Sequence, residues 1–287
     1  MNKILASKLV QFQRNEITEH HIYLRLARQA KDENNRRILE KIARDEMRHY
    51  HEWKVHTGKD VSPSKPTILF YACISRLLGF TFAIKLMEAG EDAAQESYRH
   101  ILEELEIDHI IDDEQDHEQE LIGMLDEERL RYVGSIVLGL NDALVELTGA
   151  LAGLTFALQN TRLIALTGCI TGLAAALSMA VSEYLSTKSE GSGQNPVKAS
   201  VYTGTAYVLT VVSLIAPYLL FSSYYACLAA TLSIALLIVA AFNYYISVVN
   251  EVSFRKRFLE MAGLSLGVSA ISFLIGVILR RFAGIDI

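Results

Sequence analysis

Residues 133–158 read VGSIVLGLNDALVELTGALAGLTFAL. A helix needs about 20 apolar residues to cross the hydrocarbon core of a bilayer, and this run is long enough. It nevertheless carries Asn141, Asp142 and Glu146 well inside it. A charge at that depth costs about 2.5–3.5 kcal/mol on insertion scales, so such residues mark a pathway more often than an anchor. Asp142 and Glu146 are one helical turn apart and share a face.

Outward from this segment, the pattern predicts five spans, at about 132–158, 163–187, 200–221, 224–248 and 258–281. The second reads LTGCITGLAAALSMAVSEYLS over 166–186, with Met179 and Glu183 one turn apart near its end. A soft thioether beside hard carboxylates suits a borderline divalent transition metal. Small residues at Gly139, Gly149, Gly153, Gly168 and Gly172 allow close helix packing. With the N-terminus inside, the inner flanks carry Arg129, Arg131, Lys188, Lys198, Arg255, Lys256 and Arg257, and the outer flanks carry Arg162, Arg280 and Arg281. That asymmetry predicts a cytoplasmic N-terminus, and an odd number of spans puts the C-terminus outside.

Charge divides the chain of 287 residues unevenly. Residues 1–131 hold 19 of the 27 basic residues, 26 of the 33 acidic residues and all 8 His, leaving 8 basic and 7 acidic residues for the rest. This excludes a uniform soluble globule and a disordered chain, and predicts a polar domain fused to a membrane domain. Cys73, Cys169 and Cys227 are far apart with no CxxC spacing, which argues against a disulfide framework or a zinc finger. The first residues lack the apolar core of a signal peptide, so the polar domain is expected in the cytoplasm. No basic run suggests nucleic acid.

The polar part predicts four helices in an antiparallel bundle, at about 3–30, 32–57, 67–106 and 108–131, with TGKDVSPSKP at 57–66 as a loop. Residues 67–87, TILFYACISRLLGFTFAIKLM, are unusually apolar and broken only by Arg76 and Lys85. They predict a helix lying on a membrane surface with its cations at the headgroups, ahead of the alternative of a full span that would put Arg76 near mid-membrane.

A carboxylate–imidazole pattern occurs twice. Glu46-x-x-His49 and Glu114-x-x-His117 each place two ligand types one turn apart. Each is preceded by a Glu seven residues before a Tyr: Glu16 with Tyr23, and Glu91 with Tyr98. One Glu-x-x-His is common on a solvated helix face. Two copies with matched upstream Glu point to a pair of metals, because two hard divalent cations need shared carboxylates and take one imidazole each. Glu88, one turn before Glu91, is a further candidate ligand. Glu19 and Glu118 are expected to face water.

On these residues the chain resembles two families. Residues 1–130 resemble the rubrerythrin and ferritin-like di-iron proteins. The resemblance implies an all-α ferritin-like bundle with Glu16, Glu46, His49, Glu91, Glu114 and His117 as iron ligands, Glu88 as an added one, and Tyr23 and Tyr98 bonded to ligating carboxylates. No CxxC rubredoxin module is present to supply electrons. Residues 131–285, through GLNDALVELTGALAG and ALSMAVSEYLS, resemble the vacuolar iron transporter family. That resemblance implies a five-span dimer exchanging cytosolic divalent iron or manganese for protons, with Asp142 and Met179 in the path and Glu183 nearby. Glu146 joins the candidate path residues by its place one turn from Asp142. The loop between spans two and three is only STKSEGSGQNPVKAS, where iron-storing members carry a long Glu-rich segment. Thr171 stands where some members carry Glu, and Glu146 is additional.

Together these readings predict domains at 1–130 and 131–287 and a multi-pass protein of the cell (inner) membrane. Its expected role is export of Fe(II), or Mn(II), by proton exchange, with a cytoplasmic di-iron domain that collects, oxidises or senses the metal. Expected partners are divalent metal ions, protons, membrane lipids and a second copy of the chain. A membrane-anchored di-iron peroxidase or quinone hydroxylase, and a manganese exporter with a regulatory bundle, remain open.

Overall fold

The computed structural model describes residues 3–30, 32–90, 109–123, 132–191 and 193–283. It divides into two compact units, Met1–Glu127 and Glu128–Ile287. All regular structure among the described residues is helical.

In the first unit, α1 (Lys3–Ala27) and α2 (Glu33–Thr57) form a hairpin. Asp32 caps α2 by accepting from the Asn35 amide, which satisfies one of the helix's orphan donors. Gly58 ends it at φ +64, a left-handed conformation that favours glycine. Gln13 ties the following loop down, donating to the Lys59 carbonyl and accepting from Thr57 Oγ1. Helix α3 (Lys65–Leu77) packs on α1, and a further helix, α4, covers 80–90. The expected single helix from residue 67 is therefore broken. The break falls at Gly79, whose φ of +104 no helix accommodates. Helix α5 (His109–Gly123) completes the described part of the unit.

The core of this unit gathers Ile22, Tyr23 and Leu26 of α1, Leu39 and Ile42 of α2, Ile84 and Met87 of α4, and Leu121 of α5. Burying each such side chain stabilises by about 1.5–3 kcal/mol. Polar contacts join α2 to α5 along its length, among them Lys41–Glu120, Asp45–His117, Arg48–Asp113 and Glu52–His109. Partner numbers fall along α5 as they rise along α2, so the two helices run antiparallel.

The second unit contains α6 (Val133–Leu158), α7 (Thr161–Glu190), α8 (Pro196–Leu220), α9 (Tyr224–Val249) and α10 (Phe254–Ala283). All five are long and apolar enough to cross a membrane. They begin and end within a few residues of the expected limits. Helix α7 runs further than expected, to Glu190, and α8 starts earlier, at Pro196, whose fixed φ suits a first turn.

Large apolar side chains point outward here, as Leu166, Ile170, Leu173 and Leu177 do on α7. Lipid is as apolar as leucine, so close packing selects small residues for the inside. A Cβ on Gly139 would sit 2.4 Å from the Thr203 carbonyl oxygen of α8, and one on Gly276 would sit 2.4 Å from the Gly153 oxygen. Buried hydroxyls bond to backbone: Thr203 donates to the Ser135 carbonyl, Thr231 to Leu214 and Ser265 to Leu144. No water competes for these groups inside a bilayer, so each needs a protein partner.

Candidate metal centre

The antiparallel register of α2 and α5 brings both Glu-x-x-His motifs to the same depth of the first unit. His49 Nδ1 lies 3.5 Å from Glu46 Oε2, 3.6 Å from Glu16 Oε2 and 3.5 Å from Glu114 Oε1. His117 Nδ1 lies 3.4 Å from Glu46 Oε1 and 3.5 Å from Glu114 Oε2. Glu46 and Glu114 thus each turn one oxygen to each imidazole. The arrangement has two poles, one around each Nδ1, joined by two shared carboxylates.

Ligand atoms of Glu16, Glu46, His49 and Glu114 all lie within 4.8 Å of one another. Glu16, Glu46, His49 and His117 are buried. Glu16 Oε2, both oxygens of Glu46 and the Nδ1 atoms of His49 and His117 make no hydrogen bond. Buried polar atoms are almost always paired, so inward-facing unpaired oxygens and nitrogens of this kind fit divalent cations.

The electrostatics reflect the crowding. Burial raises the Glu16 carboxyl, and the nearby Glu46 and Glu114 carboxylates add to the effect against the pull of His49, so its pKa stands at about 8. Burial also pushes Glu46 upward, but His117 and His49 pull harder and bring it down to about 2. Burial opposes the charged imidazole of His117, yet Glu114 and Glu46 outweigh it and hold its pKa at about 10. The three carboxylates around His49 likewise keep it well above its ordinary value against burial.

The outer ring nitrogens are held by carboxylates that sequence reasoning missed. His49 Nε2 lies 3.1 Å from Asp113 Oδ2, and His117 Nε2 lies 3.3 Å from Asp45 Oδ2. Arg48 spans both aspartates, at 2.9 Å from Asp45 and 2.6 Å from Asp113. The signal was present: both motifs read Asp-Glu-x-x-His, as Asp45-Glu46-Met47-Arg48-His49 and Asp113-Glu114-Gln115-Asp116-His117. A ligating imidazole needs such a partner on its other nitrogen to fix its tautomer and orientation. Trp53 Nε1 donates to Glu16 Oε1 over 2.9 Å and turns the other oxygen of Glu16 inward.

Glu19 corrects an expectation. It does not simply face water. It lines a cavity of about 380 Å³ with Glu16 and Glu114, bordered by Gln11, Arg14 and Asn15. Burial, then the Glu16, Glu46 and Glu114 carboxylates, raise its carboxyl well above the usual range. The Glu16-x-x-Glu19 spacing, which matches Glu88-x-x-Glu91, was the available signal. Glu88 is half-buried on α4, and Tyr23 sits in the core beside Ile22 and Leu26. Glu91 and Tyr98 lie outside the described residues, as does the side chain of Glu118.

In the second unit, Asp142 is half-buried on α6. Glu146, one turn on, accepts a hydrogen bond from Tyr207 of α8 at 2.8 Å. Glu146 and Tyr207 border a cavity of about 420 Å³ that Thr171 of α7 and Ser272 of α10 also reach. Glu183 near the end of α7 accepts from Ser135 near the start of α6 at 2.5 Å. Met179 packs against the core of the unit. The four residues expected along a path therefore fall on two adjacent helices, and sequence reasoning did not single out Tyr207, the donor to Glu146.

A family model described as the VIT family matches residues 133–192. The VIT match takes in α6 and α7 whole, and with them Asp142, Glu146, Met179 and Glu183. Together with the five apolar helices, the VIT match fits a multi-pass membrane protein. It does not reach the first unit. No curated protein and no solved structure matches the chain.

Proposed function

We propose that the chain is a membrane transporter that exports Fe(II), and Mn(II) by the same ligand chemistry, from the cytoplasm in exchange for protons. The carrying observation is the VIT-family match over the two helices that hold Asp142, Glu146, Met179 and Glu183. Asp142 and Glu146 supply hard oxygen donors, and Met179 a soft one, which suits a borderline divalent metal. The polar domain, residues 1–130, is a cytoplasmic ferritin-like four-helix bundle, and residues 131–287 are the transport domain of a homodimer with its C-terminus outside. Support for the orientation is the cation asymmetry of the flanks.

In this reading the bundle holds two metal ions. Glu16, Glu46, His49 and Glu114 serve one pole, and Glu46, Glu114 and His117 serve the other, with Glu88 and Glu91 as further ligands. When bound, a di-iron pair supplies one-electron redox chemistry. The protein's own part is to keep the imidazoles oriented through Asp45 and Asp113, and to keep Glu16 turned inward through Trp53.

The test is uptake of Fe(II), Mn(II), Co(II) and Zn(II) into proteoliposomes by the full chain and by Glu46→Ala/Glu114→Ala, with metal content measured in parallel. Transport of Fe(II) or Mn(II) is expected from the full chain, and loss of the bound metal pair from the double variant. No metal flux would overturn the transport reading, and unchanged metal stoichiometry would overturn the ligand assignment. A second reading, a membrane-anchored di-iron oxidoreductase, draws on the shared carboxylates of Glu46 and Glu114. It would show peroxide or quinol turnover without metal flux.

A further inference from the structure

The first unit is acidic overall, yet one groove of it collects cations. A cavity of about 760 Å³ between α1 and α3 is lined by His21, Arg25, Arg28, Lys65 and Arg76, and by no carboxylate among the described residues. Among the described residues none of Arg25, Arg28, Lys65 and Arg76 takes part in an ion pair, and all four are exposed. Clustered like charges repel one another, so the groove is set up for an anionic partner.

Beside the groove lies an apolar face that a water-soluble helix would hide. Helix α3 turns Ala72 and Ser75 inward, and Ser75 Oγ donates to Gln29 Oε1 beyond α1. Its other side exposes Leu69, Cys73 and Leu77 at four-residue intervals, with Phe70 and Leu78 adjoining. Leu77 is 75% exposed and Leu69 57%. A cationic rim next to an apolar helical stripe is the form of a surface that rests in the headgroup layer, with rings and leucines below the phosphates and cations among them.

From this we infer that the α1–α3 face of the first unit docks on an anionic lipid surface. A second copy of the chain is a poorer occupant, because a two-fold interface would set the cations of one copy against those of the other. A bilayer is always at hand if the five apolar helices are spans, and nine residues of chain separate Gly123 from Val133. The inference rests on that membrane reading. It adds a function to residues that the metal centre and the transport path do not use.

Cys73 provides the probe. It is exposed on the apolar stripe, whereas Cys227 is buried. Full-length Cys169→Ala protein, labelled at Cys73 with a fluorophore, is reconstituted into lipid discs with and without phosphatidylglycerol. Purification with the discs checks the membrane reading independently. In discs containing phosphatidylglycerol the label is expected to be quenched by doxyl-lipid and shielded from aqueous iodide. Lipid quenching is expected to fall in phosphatidylcholine discs and in 1 M salt, where the Debye length shrinks to about 3 Å. It is also expected to fall in Arg25→Gln/Arg28→Gln/Lys65→Gln, whose metal content stays unchanged. Equal iodide access in both kinds of disc, in protein that has inserted, would overturn the docking alone. Shielding without lipid quenching, together with Cys73–Cys73 cross-linking, would overturn it in favour of a second copy.

Discussion

His49 Nε2 lies 3.1 Å from Asp113 Oδ2, so the imidazole of one Asp-Glu-x-x-His motif is held by the aspartate of the other. The reciprocal pair, His117 with Asp45, completes the exchange. Each motif is therefore incomplete without its partner helix. The shared Arg48 makes the two aspartates a single element.

Asp113→Asn keeps the shape of the side chain and removes the charge behind His49. Loss of such a partner typically weakens metal binding by about 10–100-fold, and a drop in that range is expected with the fold retained. Calorimetric titration of Mn(II) into the detergent-solubilised chain checks it. Affinity within two-fold of the parent would show that Asp113 does not orient the imidazole.

Trp53→Phe keeps most of the buried ring and deletes the donor to Glu16 Oε1. An unpaired buried acceptor costs about 1–3 kcal/mol, so the metal-free protein should lose stability by that order. Denaturant unfolding followed by far-UV circular dichroism gives the value. An unchanged midpoint would mean that Glu16 finds another partner.

Stability of the metal-free first unit should decline as pH rises from about 4.5, where Glu16 begins to act, through about 10, where His117 ceases to. His117 has a folded pKa of about 10, above its ordinary value, so its contribution is present at low pH and lost as pH rises through 10. Glu16, raised to about 8, acts in the same direction, because its neutral form is the one the fold prefers. Glu46, lowered to about 2, works oppositely and only in the acid range. Thermal melts in chelator from pH 6 to 10 should show a falling midpoint. Added Mn(II) should rescue most at the alkaline end, where its ligands are deprotonated.

Asp142→Asn should still insert, since an amide is cheaper to bury than a carboxylate. Metal flux and metal-driven proton movement in liposomes should both fall steeply, while the metal content of the first unit stays constant. Normal flux would make Asp142 structural and withdraw it from the path.

Gly139→Val should damage the second unit, because even a Cβ would stand 2.4 Å from the Thr203 carbonyl oxygen. Overpacking of this kind costs about 1–3 kcal/mol or more, and backbone cannot step aside as a flexible side chain can. The melting temperature in detergent should drop relative to Gly134→Val, whose added Cβ meets nothing within 4 Å.

Much of this protein was legible one residue at a time. The five apolar helices follow from length and hydropathy, because lipid offers backbone groups no partner and forces each crossing segment into helix. The two Glu-x-x-His motifs are equally local, since residues three apart on a helix share a face whatever surrounds them. Tertiary structure decided the rest. The pairing of His49 with Asp113 and of His117 with Asp45 spans 64 and 72 residues and depends on the antiparallel register of α2 and α5. The bond from Trp53 to Glu16, the turn of Glu19 into a cavity and the bond from Tyr207 to Glu146 likewise join different helices. Side-chain spacing along a chain states which groups share a helix face. Only the packing of one helix on another states which faces meet, because register is set by the summed fit of many weak contacts.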